Sequence, residues 1–250
     1  MKKNGSTIVF RELINNVGNS HVNMILSAII MALKDNVSVL VIDMSKDYLY
    51  SIIEHSLISS NHNDFKILVE TNNLDSKSID LYSDCIIEEY VSYVRCSKVK
   101  NVNNIIRHAK EEYDYIFIMS EDEESDISSD IEVISLPRDI KRVKDKLDLS
   151  DKGCRLFILG EHNPQFKHEN IKRIRKAMGV DVYPISASIN ESVNKAIYDD
   201  SLVDFIIGSY DCDRKDKNFA LISEVLSINH RINQVIEESV KGGGHEKRTL

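Results

Sequence analysis

The chain has 250 residues, of which 42% are hydrophobic and 29% charged, with a formal net charge of −8. That length can bury a substantial core as one α/β domain, and the balance is that of a globular protein. The acidic total excludes a surface that grips nucleic acid all over, because such binding rests on neutralising phosphates, although a local basic patch stays open.

Residues 6–10 (Ser-Thr-Ile-Val-Phe) read as a short apolar strand. Residues 15–20 (Asn-Asn-Val-Gly-Asn-Ser) form the next turn, at the place where a phosphate-binding βαβ unit carries a glycine-rich loop. An apolar helix follows through Met24, Leu26, Ile29 and Leu33, and residues 37–43 form a second buried strand ending in the carboxylate of Asp43. A working phosphate loop needs a lysine against the phosphates and glycines that let backbone N–H groups close round them. Here Gly18 and the hydroxyl of Ser20 remain, with Asn19 where the lysine belongs.

Further along, 47–57 reads as a helix and 65–69 as a strand, 74–84 is polar and irregular, and 86–94 suits either a strand or a buried helix. Residues 102–112 form an amphipathic helix carrying Ile105, Ile106 and Ala109 on one face, leading into a buried central strand at 113–119. An acidic loop covers 120–130. Strands at 131–136 and 155–159 enclose a short helix at 138–147, and a basic helix spans 167–178. A strand at 182–185 precedes a helix at 188–198. The long segment 216–240 spaces Phe219, Ile222, Leu226, Ile232 and Ile236 for one buried helical face. Strands alternating with helices predict a three-layer α/β/α fold on a mostly parallel, twisted sheet of about seven strands. No repeat or Pro/Gly linker divides it, so residues 1–241 are read as a single domain and 242–250 as a flexible tail after Gly242, Gly243 and Gly244.

No apolar run approaches the roughly 20 residues that cross a bilayer. Lys2 and Lys3 precede no apolar block of signal-peptide length. The expected compartment is the cytoplasm, and the basic 241–250 segment lacks the apolar face of a membrane anchor. Cys85, Cys96, Cys154 and Cys212 are scattered without a Cys-x-x-Cys pair, which predicts buried thiols and neither a zinc site nor disulfides.

The order of segments resembles the ParA/MinD family of P-loop ATPases over residues 6–230. That family's phosphate loop reads K-G-G-x-G-K-[ST]. Residues 14–20 (Ile-Asn-Asn-Val-Gly-Asn-Ser) match it at Gly18 and Ser20 and lose both lysines and two glycines. Asp43 matches the Asp that assists magnesium and water. Tyr113, Asp114 and the apolar residues after them match the central strand, until Met119 stands where a magnesium-linked Asp belongs. Residues 182–196 (Val-Tyr-Pro-Ile-Ser-Ala-Ser-Ile-Asn-Glu-Ser-Val-Asn-Lys-Ala) are similar to the family's segment after its penultimate strand. The missing lysine is closest in character to the TadZ/CpaE branch, which marks the site of pilus assembly in bacteria.

The resemblance implies a pseudo-ATPase with no catalytic residue and no metal site. Gly18, Asn19, Ser20 and Asp43 would form a vestigial nucleotide site. Two readings of 15–20 stand: Asn19 or Ser20 merely caps the helix, or the helix N-terminus still holds ATP or ADP weakly. The expected cofactor is none. Glu121, Asp122 and Glu123 are read as a solvated loop rather than a replacement metal site, and His21 as a surface residue. Expected partners are proteins of a pilus, secretion or conjugation machine, with a homodimer that does not depend on nucleotide. DNA is not an expected partner. If DNA binds, Lys172, Arg173, Arg175 and Lys176 are the contacts, and the protein is then a DNA-partition relative with an atypical phosphate loop.

Overall fold

The computed structural model describes residues 4–12, 20–45, 48–57, 84–87, 89–96, 102–120, 127–136, 155–159, 167–179, 181–185, 190–211, 216 and 218–242. Eight strands occur among them: β1 (Ser6–Glu12), β2 (Val39–Asp43), β3 (Asp84–Ile87), β4 (Val91–Arg95), β5 (Tyr115–Ser120), β6 (Ile131–Leu136), β7 (Arg155–Leu159) and β8 (Val182–Pro184). They form one sheet in the order β3-β4-β2-β5-β1-β6-β7-β8. Every pairing is parallel except that of β3 with β4. All five residues of β2 are buried, as expected of a strand covered on both faces.

On one face lie α1 (Ser20–Asp35), α2 (Tyr48–Ile53), α5 (Glu191–Tyr198), α6 (Leu202–Tyr210) and α7 (Phe219–Gly242). Their apolar residues share one core with Phe10, Val41, Phe117 and Val133 of the sheet. The opposite face carries α3 (Val102–Glu112), which packs Ile105, Ile106 and Ala109 on Val9, Leu40 and Ile118, and α4 (Lys167–Met178), which packs Ile174 on Ile134 and Phe157. The predicted α/β/α layering is therefore the observed one.

Several local expectations are refined. The ambiguous 86–94 segment is a hairpin, with β3 turning through Glu89 and Tyr90 into β4. Helix α6 was not anticipated, because its apolar sequence (Leu-Val-Asp-Phe-Ile-Ile-Gly-Ser-Tyr) has little periodicity to distinguish it from a strand. Helix α7 runs through Gly242 rather than ending before it. Helix α5 starts at Glu191, where Asn190 Oδ1 accepts from Ser192 N–H at 2.9 Å and Val193 N–H at 3.2 Å. Helix α4 ends at Gly179, whose φ of +70° carries the chain into the left-handed region. The expected strand at 65–69, the helix at 138–147, the acidic residues 121–126 and the tail from 243 lie outside the described residues.

The amino-terminal edge of the sheet is fastened by carboxylates. Asp114, in the Tyr-Asp pair before β5, accepts from Ser38 N–H and Ser38 Oγ, both at 2.9 Å. Asp130 accepts from Thr7 N–H at 2.7 Å and Lys110 Nζ at 2.8 Å. Gly5 passes so close to the Tyr113 carbonyl that a Cβ would collide with it, and its N–H donates to Lys110 O at 2.9 Å. Gly5→Ala must therefore shift backbone at the entry to β1. We expect a loss of about 1–3 kcal/mol, read by thermal denaturation as a Tm lower by about 2–4 °C per kcal/mol.

Candidate functional site

The carboxyl ends of β1, β2, β5 and β6 converge under the amino end of α1. In register, Phe10 and Asp43 both pair with Met119, and Glu12 pairs with Ser135. Helix α1 is buried on all sides from Ser20 to Ala32. Its first turn is therefore shut off from solvent, and its N–H groups need partners within the protein.

Glu12 supplies one. Its side chain is folded under α1 at 5% exposure, and Oε1 accepts from Ser20 N–H at 2.8 Å. The Ser20 hydroxyl donates to Arg11 O at 3.2 Å and meets the Ser135 hydroxyl in a short contact. Ser20 is thus a fully buried bridge from β1 to β6 rather than a hydroxyl capping its own helix. The imidazole of His21 is buried too, with Nδ1 3.9 Å from Glu12 Oε1, which corrects the expectation of a surface histidine. The apolar surroundings of α1 explain this: the residue's place on a helix buried on every side decides its exposure. Gly18 and Asn19 lie outside the described residues.

Asp43 has no exposed surface. Its Oδ1 accepts from Ser45 N–H at 2.8 Å, closing the turn after β2, and its Oδ2 accepts from the Tyr93 hydroxyl at 2.7 Å. Both oxygens are thus engaged within the fold. Met119 beside it is fully buried, and its soft thioether is a poor partner for a hard cation. Among the described residues no group of three or more His, Cys, Asp or Glu is placed to hold a metal ion.

The structure places Ser20 and Asp43 at this edge of the sheet beside Glu12, Tyr93 and Ser135, which the sequence reading does not single out. A carboxylate ending an apolar strand was the available signal for Glu12, but no local rule joins it to a helix eight residues on. Tyr93 lies 50 residues from Asp43 and reaches it because β4 neighbours β2.

Three other features lie outside this centre. On the opposite face of the sheet Glu132 is clamped by Arg11 Nε at 3.3 Å and Arg155 Nε at 2.9 Å, a ladder across β1, β6 and β7. On α4, Lys172, Arg173, Arg175 and Lys176 are all exposed. Arg175 is tied to Asp181 at 3.5 Å and to Val182 O at 3.1 Å, so it supports the entry to β8. A pocket of about 400 Å³ opens where Tyr183 and Pro184 of β8 meet Phe219, Ala220 and Ser223 of α7. Among the described residues no helix is long and apolar enough to cross a membrane.

No protein-family model matches the sequence, and neither does any curated protein. Solved structures match over nearly the whole chain. A ParA family ATPase from Chlorobium tepidum TLS aligns with a TM-score of 0.63 at 14% identity, covering 92% of this chain and 99% of that one. The MinC:MinD cell division protein complex of Aquifex aeolicus gives 0.63 at 14% identity, over 92% and 96%. A putative plasmid partition protein from Borrelia burgdorferi B31, bound to AMPPNP, gives 0.57 at 17%, over 90% and 98%. Identities this low carry the fold alone, and the fold is that of the ParA/MinD P-loop ATPases.

Burial first, and the Asp43 carboxylate second, push the Cys96 thiol far above its ordinary range. The thiolate is the reactive form, so Cys96 stays protonated and inert in the native protein. Iodoacetamide at pH 8.5 followed by peptide mapping should leave Cys96 unmodified in native protein and modify it fully in denaturant. Tyr93→Phe removes a donor from a buried carboxylate, with an expected cost of about 1–3 kcal/mol. The same labelling should then detect faster native-state modification of Cys96.

Proposed function

We propose that this chain is a catalytically degenerate member of the ParA/MinD group, a pseudo-ATPase that works as a localisation or scaffold factor for a pilus, secretion or conjugation assembly. In character it is closest to the TadZ/CpaE branch. The observation that carries the reading is the carboxylate of Glu12 lying on the first N–H of α1, where the fold receives phosphate. Losing a signature lysine removes about 1.5–3 kcal/mol of charge-assisted contact. A carboxylate about 4 Å from a phosphate charge adds roughly 4 kcal/mol of repulsion at an effective dielectric of about 20. The second effect is the larger, and together they disfavour nucleotide on this site. Buried Asp43 and Met119 at the magnesium position support the same reading, since phosphoryl transfer depends on charge stabilisation by lysine and metal.

Binding to other proteins is what remains for such a chain, in the cytoplasm, and any homodimer should form without nucleotide. Sedimentation velocity with and without ATP and Mg2+ tests this: the same association state is expected in both. Steady ATP turnover at rates typical of intact relatives, abolished by Asp43→Ala, would contradict the reading, as would a monomer that dimerises only with ATP.

A second reading, a DNA-partition protein that keeps weak ATP or ADP binding, is favoured by the exposed Lys172, Arg173 and Lys176 on α4. The pocket between β8 and α7 opens on the same carboxyl edge of the sheet as Ser20, three strand spacings away, about 14 Å at ~4.8 Å each. A titration of random-sequence duplex DNA across salt concentrations separates the readings. The scaffold reading expects only background binding at physiological salt, unchanged by Arg173→Ala with Lys176→Ala. Micromolar affinity that falls steeply with salt and is lost in that double variant decides for partition.

A further inference from the structure

We propose that Glu12 is a resident anion: its carboxylate substitutes within the chain for a bound phosphate and keeps α1 seated on the sheet with no ligand. This rests on the pseudo-ATPase reading and deepens it, because it makes the occupied state of the site permanent.

Three observations lead here. Glu12 ends β1, the strand that enters the 13–19 connection, and Ser20 opens α1, so the carboxylate and the N–H that it binds bracket that connection. The side chain is more than nine-tenths buried, a costly place for a carboxylate unless positive potential compensates it. The amino end of a helix of 16 residues supplies that potential, through aligned peptide dipoles and N–H groups that cannot reach water. The third observation is the footing. Ser20 Oγ is held to Arg11 O and to the Ser135 hydroxyl, so the N–H bound by Glu12 belongs to a residue fixed to two central strands.

A phosphate held at this end of a βαβ unit joins strand, connection and helix through charge and hydrogen bonds. Glu12 does the same by covalent membership of the strand, at an effective concentration no ligand matches. Its single charge leaves nothing to hydrolyse and nothing to release. A surface that in a nucleotide-driven relative would form and dissolve with ligand is here formed throughout, as suits a stationary landmark.

Chemical rescue distinguishes a resident anion from an ordinary helix cap. Thermal denaturation is followed for full-length wild type, Glu12→Ala and Glu12→Gln, in inorganic phosphate and in sodium chloride of equal ionic strength. Phosphate stabilises most proteins a little by exclusion from their surfaces, so the readout is the excess over wild type. Glu12→Ala should lose roughly 4–10 °C in Tm, the shift expected for a buried charge-assisted contact in a chain of this size. Phosphate should restore about half of that in a saturable manner. Glu12→Gln keeps the volume and an acceptor but no charge; its Tm should fall by less, with no excess response because the amide still fills the place.

An alanine variant as stable as wild type, or one helped by phosphate no more than wild type is, overturns the proposal. Should the alanine variant not fold, the glutamine variant decides: equal stability with wild type shows that the charge is immaterial and overturns it, and a lower Tm supports it. A steady-state ATP turnover assay on wild type keeps the two readings apart. Steady turnover sinks the pseudo-ATPase reading, whereas failed rescue with no turnover sinks the resident anion alone.

Discussion

Burial of α1 on all sides is the constraint from which the rest of the site follows. Thirteen consecutive residues, from Ser20 to Ala32, are packed between the sheet and the helices of one face. An apolar side chain gains about 1.5–3 kcal/mol from such a place, but a backbone N–H at the helix start loses water and must find a partner. The carboxylate of Glu12 answers that demand, and its own burial is tolerable because the helix end is positive. Along α1, Ser20 bonds across to β1 and β6, and the Ser27 carbonyl accepts from Asn229 Nδ2 of α7 at 3.0 Å, while the buried Ser27 hydroxyl has no hydrogen-bond partner among the described residues.

The second consequence concerns charge. The carboxyl ends of central strands in a doubly wound sheet form the crevice where such folds hold ligands. In this chain the groups there are turned inward. Asp43 is spent on the turn to Ser45 and on the Tyr93 hydroxyl, Met119 fills the neighbouring position with an apolar side chain, and Glu12 accepts from the Ser20 N–H. Each of these contacts satisfies a buried polar group or fills volume, so these side chains are part of the packing. The surface charge of α4 is independent of it, lying on the opposite face of the sheet over Ile134 and Phe157.

Much of the architecture was legible in order. Helices 102–112 and 167–178 and strands 131–136 and 155–159 have the bounds that periodicity and flanking polar residues predict. The hairpin of β3 and β4 and helix α6 were not legible, because a short apolar stretch fits a strand and a buried helix equally until its neighbours are known. Of the candidate site, the sequence reading singles out Ser20 and Asp43, which the structure places at the carboxyl edge of the sheet. The contact of Glu12 with Ser20 was not legible, since Glu12 was one carboxylate among 40 acidic residues.

The sequence by itself determined the layering and the order of strands and helices along the chain. These depend on local composition and spacing, which act along the chain. Tertiary structure alone decided that Tyr93 reaches Asp43 across 50 residues, that Ser20 meets Ser135 across 115, and that His21 is inside. Those contacts are set by strand order and register, which place β4 beside β2 and β6 beside β1. No local pattern encodes which strands become neighbours, because that choice is made by the packing of the whole sheet against its helices.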